Sequence, residues 1–259
     1  GKLMDIQQQK SWNILLVGDS CEDIYHYGVC DRMSPEAPVP VFRELRQEVR
    51  QGMSSNVKLN LQSFGMKVEH VHNSEKIRKH RFIEEKYNQQ LFRYDQGEEK
   101  KVYPLLPRMS RGYDAVVVSD YNKGFVTPDT FEFLKDQLPP GMPVFVDSKK
   151  QDLTCFKNCI IKINESEAHK AIIDPTQEVV VTLGASGARW KDSIYKTEKV
   201  DVFDVCGAGD VFLASLVYGY LKHGDMSKAI NIANKCASLS VTKMGTYVLT
   251  TEDINDLCI

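Results

Sequence analysis

The chain has 259 residues, of which 42% are hydrophobic and 26% are charged, with a formal net charge of -2. A chain of this length can bury a sizeable core within one α/β domain, and its balanced charge gives no electrostatic footprint for nucleic acid or an anionic membrane. Seven cysteines without a Cys-x-x-Cys pair favour reduced thiols and a cytoplasmic protein. No apolar run approaches the ~18 residues that span a bilayer, and the first ten residues have no signal-peptide core. We therefore expect a small-molecule partner.

The N-terminal part predicts a buried strand with a polar loop behind it. Residues 13–17 form a continuous apolar run that ends in Gly18-Asp19, and Asp23 follows four residues later. Because ligands of open α/β sheets bind at the carboxyl ends of strands, Asp19 and Asp23 are candidates to accept hydrogen bonds from sugar-type hydroxyls. The alternative is that both aspartates only cap the loop.

Two segments predict a small second sheet. Prolines at 35, 38 and 40 exclude helix from residues 33–50, which indicates an edge strand or lid. Residues 76–95 are charged and rich in β-formers around a turn near 86–88, as in a hairpin. Their basic side chains form either a solvated face or a lid over an anionic substrate. Between the two segments, apolar residues at 57, 61 and 64 have helical spacing.

The rest of the chain alternates strands with helices. Strands are predicted at 113–119, 142–147, 160–163 and 178–183, and helices at 128–137, about 209–222 and 226–242. This alternation is typical of βαβ units. The predicted fold class is therefore α/β, with a doubly wound, mainly parallel sheet flanked by helices, and residues 11–259 form one domain with its β lid.

Val200–Asp210 is the most informative stretch, because an alternating apolar segment, predicted as a strand, runs into Gly207-Ala208-Gly209-Asp210 and then a helix. Glycines let a ligand approach the backbone, and a helix N-terminus presents free N–H groups to an anion. Asp210 is either a helix-capping acid or the base of a phosphoryl-transfer site.

Other strand ends carry polar groups suited to phosphate or hydroxyl chemistry: Asp19, residues 120–124, residues 147–149, and Asn164 with Glu167. The glycine-rich turn at 182–187 is suited to approach by a nucleotide. Neither a Walker-type phosphate loop nor a dinucleotide fingerprint is present. His70 and His72 have no nearby ligands at zinc spacing and are expected to face solvent.

These residues resemble the ribokinase-like (phosphofructokinase B type) carbohydrate kinases over nearly the whole chain. Asp204-Val-Cys-Gly-Ala-Gly-Asp210 is similar to the C-terminal signature of that family. Within the family, the stretches at 17–23, 33–41, 88–90, 119–124 and 243–246 are similar to heptose 7-phosphate kinase domains of ADP-heptose synthesis enzymes.

The resemblance implies ATP and Mg²⁺ as cofactors, Asp210 as catalytic base, and a lid that often mediates dimerisation in relatives. Charge on the transferring phosphoryl group would be stabilised by the amides of Gly207, Ala208 and Gly209. The implied sugar site consists of Asp19, Asp23, Gly52, Asn56, Asp120 and Lys123. The implied nucleotide site consists of Lys149, Asn164, Thr182, Gly184, Gly187 and Asn234, with Glu167 linked to magnesium.

Two departures from the family pattern bear on the substrate. Met53 stands where the family has the second glycine of a pair, and about thirty residues of the family pattern are missing between 68 and 77. The expected reaction is phosphorylation of a sugar or sugar-phosphate hydroxyl, with heptose 7-phosphate the first candidate and heptose 1,7-bisphosphate its product. The alternatives are a kinase for a ribose- or fructose-type sugar, or a non-catalytic ligand-binding relative.

Overall fold

The computed structural model of the protein describes residues 11–104, 106 and 112–259. The first ten residues, where the sequence shows no signal-peptide core, lie outside the described residues. Within the described part of the chain, no helix is long and apolar enough to cross a membrane.

The larger of two sheets is built from eight strands, namely β1 (Asn13–Gly18), β4 (Lys67–His72), β7 (Ala115–Asp120), β8 (Val144–Ser148), β9 (Ile160–Asn164), β10 (Glu178–Thr182), β11 (Ala188–Trp190) and β12 (Ser193–Tyr195). Their spatial order is β12-β11-β10-β9-β8-β7-β1-β4. The strands from β4 to β10 are parallel, and β11 and β12 are antiparallel at one edge. A strand that is covered on both faces has a continuously apolar sequence, and β7 is such a strand because it is buried at every position.

Helices cover both faces of this sheet, namely α1 (Ser54–Ser63), α2 (Pro128–Asp136), α3 (Glu165–Ala168), α4 (Ala208–His223), α5 (Met226–Val241) and α6 (Thr251–Leu257). On one face, α1, α4 and α5 bury Leu61, Leu216 and Ala233 in the larger core. The opposite core receives Leu134 of α2 and Phe156 of an irregular segment. The predicted fold class, a doubly wound and mainly parallel α/β sheet, is confirmed.

The smaller sheet contains β2 (Ser20–Met33), β3 (Pro40–Met53), β5 (Arg78–Glu84) and β6 (Gln89–Gln96). Its spatial order is β3-β2-β5-β6, with β2 parallel to β5 and antiparallel to β3. Both segments predicted as the lid therefore lie in this sheet, and β5 and β6 pair as a hairpin. The sequence did not predict β2, because residues 20–33 mix polar, aromatic and cysteine side chains without simple alternation.

The strand predicted at the start of Val200–Asp210 is wrong. Residues 196–202 have no regular structure, and Val200, Val202 and Val205 are exposed despite their alternation. No strand in the described part of the chain pairs with them. Instead, the amides of Phe203 and Asp204 both donate to the carbonyl of Val241 at the end of α5.

The expectation for the two histidines holds only for His72. His72 is exposed, but His70 is half-buried and its Nε2 lies 2.8 Å from Ser54 Oγ. Burial, together with the nearby His72 and Lys58, lowers the pKa of His70 to about 3. His70 is therefore neutral at physiological pH and joins β4 to the start of α1.

The crossing of α4 and α5 depends on a small residue. A Cβ at Gly219 would stand 2.9 Å from Ala229 Cα, closer than side-chain carbons approach backbone atoms. We expect Gly219→Val to force the helices apart and lower the free energy of unfolding by about 1–3 kcal/mol. Urea unfolding measures the loss. Lys235→Ala, an exposed change on α5, is the matched control, and an equal effect of both would contradict the prediction.

Candidate active site

The turn before α4 offers amides to an anion. Gly207 has a φ of 77°, which glycine adopts without steric cost, and a Cβ at Gly209 would stand 2.9 Å from Lys162 Nζ. The amides of Gly207 and Gly209 have no acceptor among the described residues, whereas Ala208 N–H donates to the Val205 carbonyl at 3.2 Å. Two of the three expected amides are thus free at this helix N-terminus.

Asp210 lies in the first turn of α4 and accepts a hydrogen bond of 2.7 Å from Asn56 Nδ2 of α1. Burial raises the pKa of Asp210 to about 6, while the hydrogen bond from Asn56 opposes this rise. Nearby Asp147 also raises that pKa, and Lys162 and Lys149 lower it. Such a carboxylate is mostly ionised at neutral pH and is a stronger base than an exposed aspartate.

Cavity A, of about 430 Å³, opens between the two sheets beside Asp210. Its basic side chains come from β3 and β5, and its walls include Cys21, Asp23, Tyr25, Arg50, Gly52, Met53, Asn56, Lys79, Arg81, Tyr121, Gly207, Asp210 and Thr246. Arg81 Nη1 pairs with Asp23 Oδ1 at 2.6 Å, and the Arg50 guanidinium lies 4.5 Å from the Tyr25 ring centroid. The cavity is therefore lined by fixed cations as well as by carboxylates.

The backbone at Gly52 and Met53 shapes one wall of cavity A. A Cβ at Gly52 would stand 2.5 Å from both Asp23 Oδ2 and Cys21 Sγ. Met53 has φ 53° and ψ -130°, a region occupied mainly by glycine and costing other residues of order 1–3 kcal/mol. This conformation explains why the resembling family has glycine there. The Met53 side chain is buried and lines the cavity.

Cavity B, of about 620 Å³, lies on the other side of Asp210. Its walls include Tyr121, Asp147, Lys149, Lys162, Asn164, Thr182, Gly184, Gly207, Gly209 and Asp210. Lys162 is only 4% exposed, and its Nζ lies 3.1 Å from Asp147 Oδ2. Lys162 was not predicted as a site residue. Its position within the apolar run of β9 was nevertheless a signal, since a buried charge requires a partner.

Asn164 and Glu167 form a reciprocal cap at α3. Asn164 Oδ1 accepts from Glu167 N–H at 2.8 Å, and Glu167 Oε1 accepts from Asn164 N–H at 3.0 Å. Glu167 Oε2 lies 3.1 Å from Lys149 Nζ. Within the described residues no three His, Cys, Asp or Glu side chains are grouped to hold a metal ion. Asp147 Oδ1, however, is buried and has no hydrogen-bond partner among them.

Cavity C, of about 500 Å³, is more apolar and lies beyond cavity B. Its walls include Thr182, Gly184, Gly187, Val200, Val202, Val205, Gly209, Phe212, Asn234 and Val241. The exposed valines of the irregular segment therefore line a groove rather than a sheet. Asn234 Nδ2 donates to the Tyr195 carbonyl at 2.9 Å, which fixes its orientation. A flat, apolar ring with a few polar edges fits such a groove.

Three residues expected in the sugar site do not line these cavities. Asp19 is completely buried and accepts backbone N–H groups of the loop after β7. Asp120 is also completely buried and pairs with Lys150 Nζ at 3.1 Å. Burial and the nearby Asp120 raise the pKa of Asp19. Lys123 pairs with Glu98 at 3.0 Å. The two aspartates thus hold the loop in place, which the sequence pattern could not distinguish from ligand binding.

The cavities form a continuous line. Cavities A and B share Tyr121, Gly207 and Asp210, and cavities B and C share residues that include Gly209 and Thr182. The turn before α4 therefore stands between a polar, cationic cavity and a long groove with an apolar end. This arrangement suits transfer of an anionic group from a ligand in B and C to one in A.

Comparison with known proteins assigns the class. Residues 116–253 match the family described as pfkB family carbohydrate kinase. The fold matches ribokinase from Thermotoga maritima (TM-score 0.69, 15% identity, covering 95% of this chain and 99% of that one) and Escherichia coli phosphofructokinase-2 (0.69, 15%, 95% and 97%). These features define a carbohydrate kinase with the ribokinase fold.

The chain belongs to the pfkB family of carbohydrate kinases. It is 30% identical to the bifunctional protein HldE of Nitratiruptor sp., over 94% of this chain and 64% of that protein. It is 28% identical to HldE of Campylobacter jejuni subsp. doylei, over 97% and 66%. The chain thus spans about two thirds of the length of these relatives. The first alignment runs over 302 positions, so the relatives also contain segments that this chain lacks.

The hydrogen bond from Asn56 should control the pKa of Asp210. Asn56→Leu keeps the size of the side chain but removes a donor that favours the carboxylate. We expect the pKa of Asp210 to rise above about 6. A carbon-13 NMR titration of the carboxyl group measures it, and the signal is assigned by its loss in Asp210→Asn. A pKa that stays constant or falls would show that Asn56 does not stabilise the charged form.

Proposed function

We propose that the protein uses ATP and Mg²⁺ to phosphorylate a hydroxyl of a sugar phosphate, with heptose 7-phosphate as the first candidate and heptose 1,7-bisphosphate as the product. The observation that carries this proposal is the cationic lining of cavity A. The similarity to HldE and the heptose-kinase motifs support the choice of sugar. Ribose- or fructose-type sugars are the competing acceptors.

Arg50, Lys79 and Arg81 bring three cationic side chains to one small cavity. Each has a carboxylate partner, but guanidinium and ammonium groups carry more N–H donors than one such partner uses. A phosphate dianion accepts several charge-assisted hydrogen bonds from such spare donors, whereas the hydroxyls of a neutral sugar accept weaker ones. The lining therefore supports a phosphorylated acceptor.

Asp210 is the proposed base. Its carboxylate lies at the boundary of cavities A and B, where it can take the proton from an acceptor hydroxyl in A. The free amides of Gly207 and Gly209 and the ammonium group of Lys162 lie on the B side. They are placed to balance the negative charge that develops on the transferring phosphoryl oxygens.

The nucleotide is proposed to lie along cavities B and C. Lys149 and Asn164 line the part that would hold the phosphates, whereas Gly187 and Asn234 line the apolar end that would hold the base. The buried, unpaired Asp147 Oδ1 and the nearby Glu167 supply the oxygen donors that magnesium prefers. When bound, Mg²⁺ neutralises phosphate charge.

A homodimer is also proposed, through the smaller sheet. Leu91, Phe92 and Tyr94 of β6 are exposed there, as expected for a surface that another chain covers. The proposed homodimer is tested by size-exclusion chromatography with light scattering, which measures whether the molar mass in solution is that of two chains rather than one.

A cytoplasmic setting is proposed from the seven cysteines, none of which forms a disulfide.

Asp210→Asn tests the base. The amide keeps the shape of the side chain but cannot accept the hydroxyl proton, so we expect kcat to fall roughly 10²–10⁴-fold while ATP affinity is retained. Release of ADP, measured in a screen of sugars and sugar phosphates with Mg²⁺, gives the rate. Wild-type turnover in this variant would remove the mechanism. An inactive wild-type protein that still binds sugar tightly would instead support a binding protein.

Arg50→Met tests the phosphorylated acceptor. Loss of one charge-assisted hydrogen bond, worth about 1.5–3 kcal/mol, should raise KM for the sugar phosphate roughly 10- to 100-fold and leave KM for ATP unchanged. Arg78→Met, on the opposite face of β5, is the control, since Arg78 does not line cavity A. Equal KM values in wild type and Arg50→Met, or faster turnover of the unphosphorylated sugar, would contradict the proposal.

A further inference from the structure

The boundary between cavities A and B contains one large side chain. The residues that line both cavities lie where the cavities meet, and these are Tyr121, Gly207 and Asp210. Gly207 has no side chain, and the carboxyl group of Asp210 is small. The aromatic ring of Tyr121 is therefore the one large side chain among the residues that the two cavities share.

The loop that carries Tyr121 is held in place by the carboxylates of two buried aspartates, which accept hydrogen bonds from its backbone N–H groups. Asp19 Oδ2 accepts the Tyr121 N–H at 2.8 Å, and Asp19 Oδ1 accepts the Phe125 N–H at 3.2 Å. Asp120 Oδ1 accepts the Asn122 N–H at 2.8 Å. These bonds hold both ends of the turn after β7, so the ring of Tyr121 stands on a rigid support.

The surroundings of the ring keep the Tyr121 side chain uncharged. The ring of Tyr121 lines both cavities, and Lys149 Nζ lies 5.8 Å from its centroid. Burial raises the pKa of Tyr121, and the nearby Asp210 and Asp147 raise it further. The side chain is therefore neutral at physiological pH, and its ring carbons present an apolar surface beside the charged groups.

We propose that the Tyr121 ring excludes water from the line between the acceptor hydroxyl and the γ-phosphate, so that the phosphoryl group passes to the sugar and not to water. This inference rests on the proposed kinase reaction. In that reaction a sugar oxygen bonds to the γ-phosphorus, the bond from this phosphorus to the ADP oxygen breaks, and the hydroxyl proton moves to Asp210. Water in the place of the sugar hydroxyl would undergo the same exchange of bonds and yield ADP and inorganic phosphate.

Coupling between the two products tests the role of Tyr121. ADP and phosphorylated sugar are measured in the same reaction, and inorganic phosphate is measured with and without the acceptor. In wild type and Tyr121→Phe, ADP and sugar phosphate form in equal amounts, because the ring is present in both. In Tyr121→Ala, ADP exceeds sugar phosphate severalfold, and phosphate appears even without the acceptor. Phe133→Ala, which removes an exposed ring of α2, is the matched control and stays coupled.

The outcomes separate this inference from the proposed function. ATP affinity, measured by calorimetric titration, and the melting temperature establish that each variant is folded and binds nucleotide. Equal ADP and sugar phosphate from a folded Tyr121→Ala would overturn the role of the ring, as would uncoupling in Tyr121→Phe. If Tyr121→Ala is unfolded, Tyr121→Leu replaces it, and the partial loss of ring area predicts intermediate uncoupling. A wild-type protein that phosphorylates no sugar rejects the kinase proposal itself.

Discussion

The hydrogen bond between Asn56 and Asp210 joins the two halves of the site. Asn56 lies on α1, directly after the smaller sheet, and Asp210 lies on α4, more than 150 positions further along the chain. Both helices pack on the same face of the larger sheet, so the bond has its geometry only when that core is complete. The carboxylate that faces both cavities is therefore held by the fold as a whole, and its raised pKa depends on the same burial.

The strands of the main sheet could be predicted from the sequence because burial on both faces makes them continuous apolar runs. Runs such as residues 115–118 and 144–146 are apolar throughout, as parallel strands covered on both faces must be. Alternation misled at Val200–Val205, where valines line a groove and have no strand to pair with. Strand β2 was not predicted because its sequence lacks a simple alternation of apolar and polar residues. Its residues Cys21, Asp23 and Tyr25 line cavity A, so polar and aromatic side chains stand where a strand over a core would have apolar ones.

The candidate site was predictable where backbone conformation restricts the residue type. The glycines of the turn before α4 were identified because glycine lets a ligand approach the backbone at a helix N-terminus. The structure adds a steric reason, since a Cβ at Gly207 or Gly209 would stand within 3 Å of Thr246 or Lys162. Aspartates gave no such information. Asp23 reaches cavity A while Asp19 and Asp120 face backbone amides and a lysine, and nothing in residue type separates these roles. Lys162 was overlooked because its partner, Asp147, comes from a neighbouring strand and is only known once the strand order is known.

Met53 gives cavity A a different kind of wall from the one that a glycine would leave. A thioether chain has three rotatable bonds and a polarisable sulfur, so it changes shape at little cost where a bare backbone would be rigid. The wall of cavity A at this position can therefore change shape more readily than the backbone around it. The strained backbone of Met53 is retained because its side chain is buried with Cys21 and Val71 in the core on the opposite face of the larger sheet. In this chain, the shape of cavity A is thus linked to the packing of the fold.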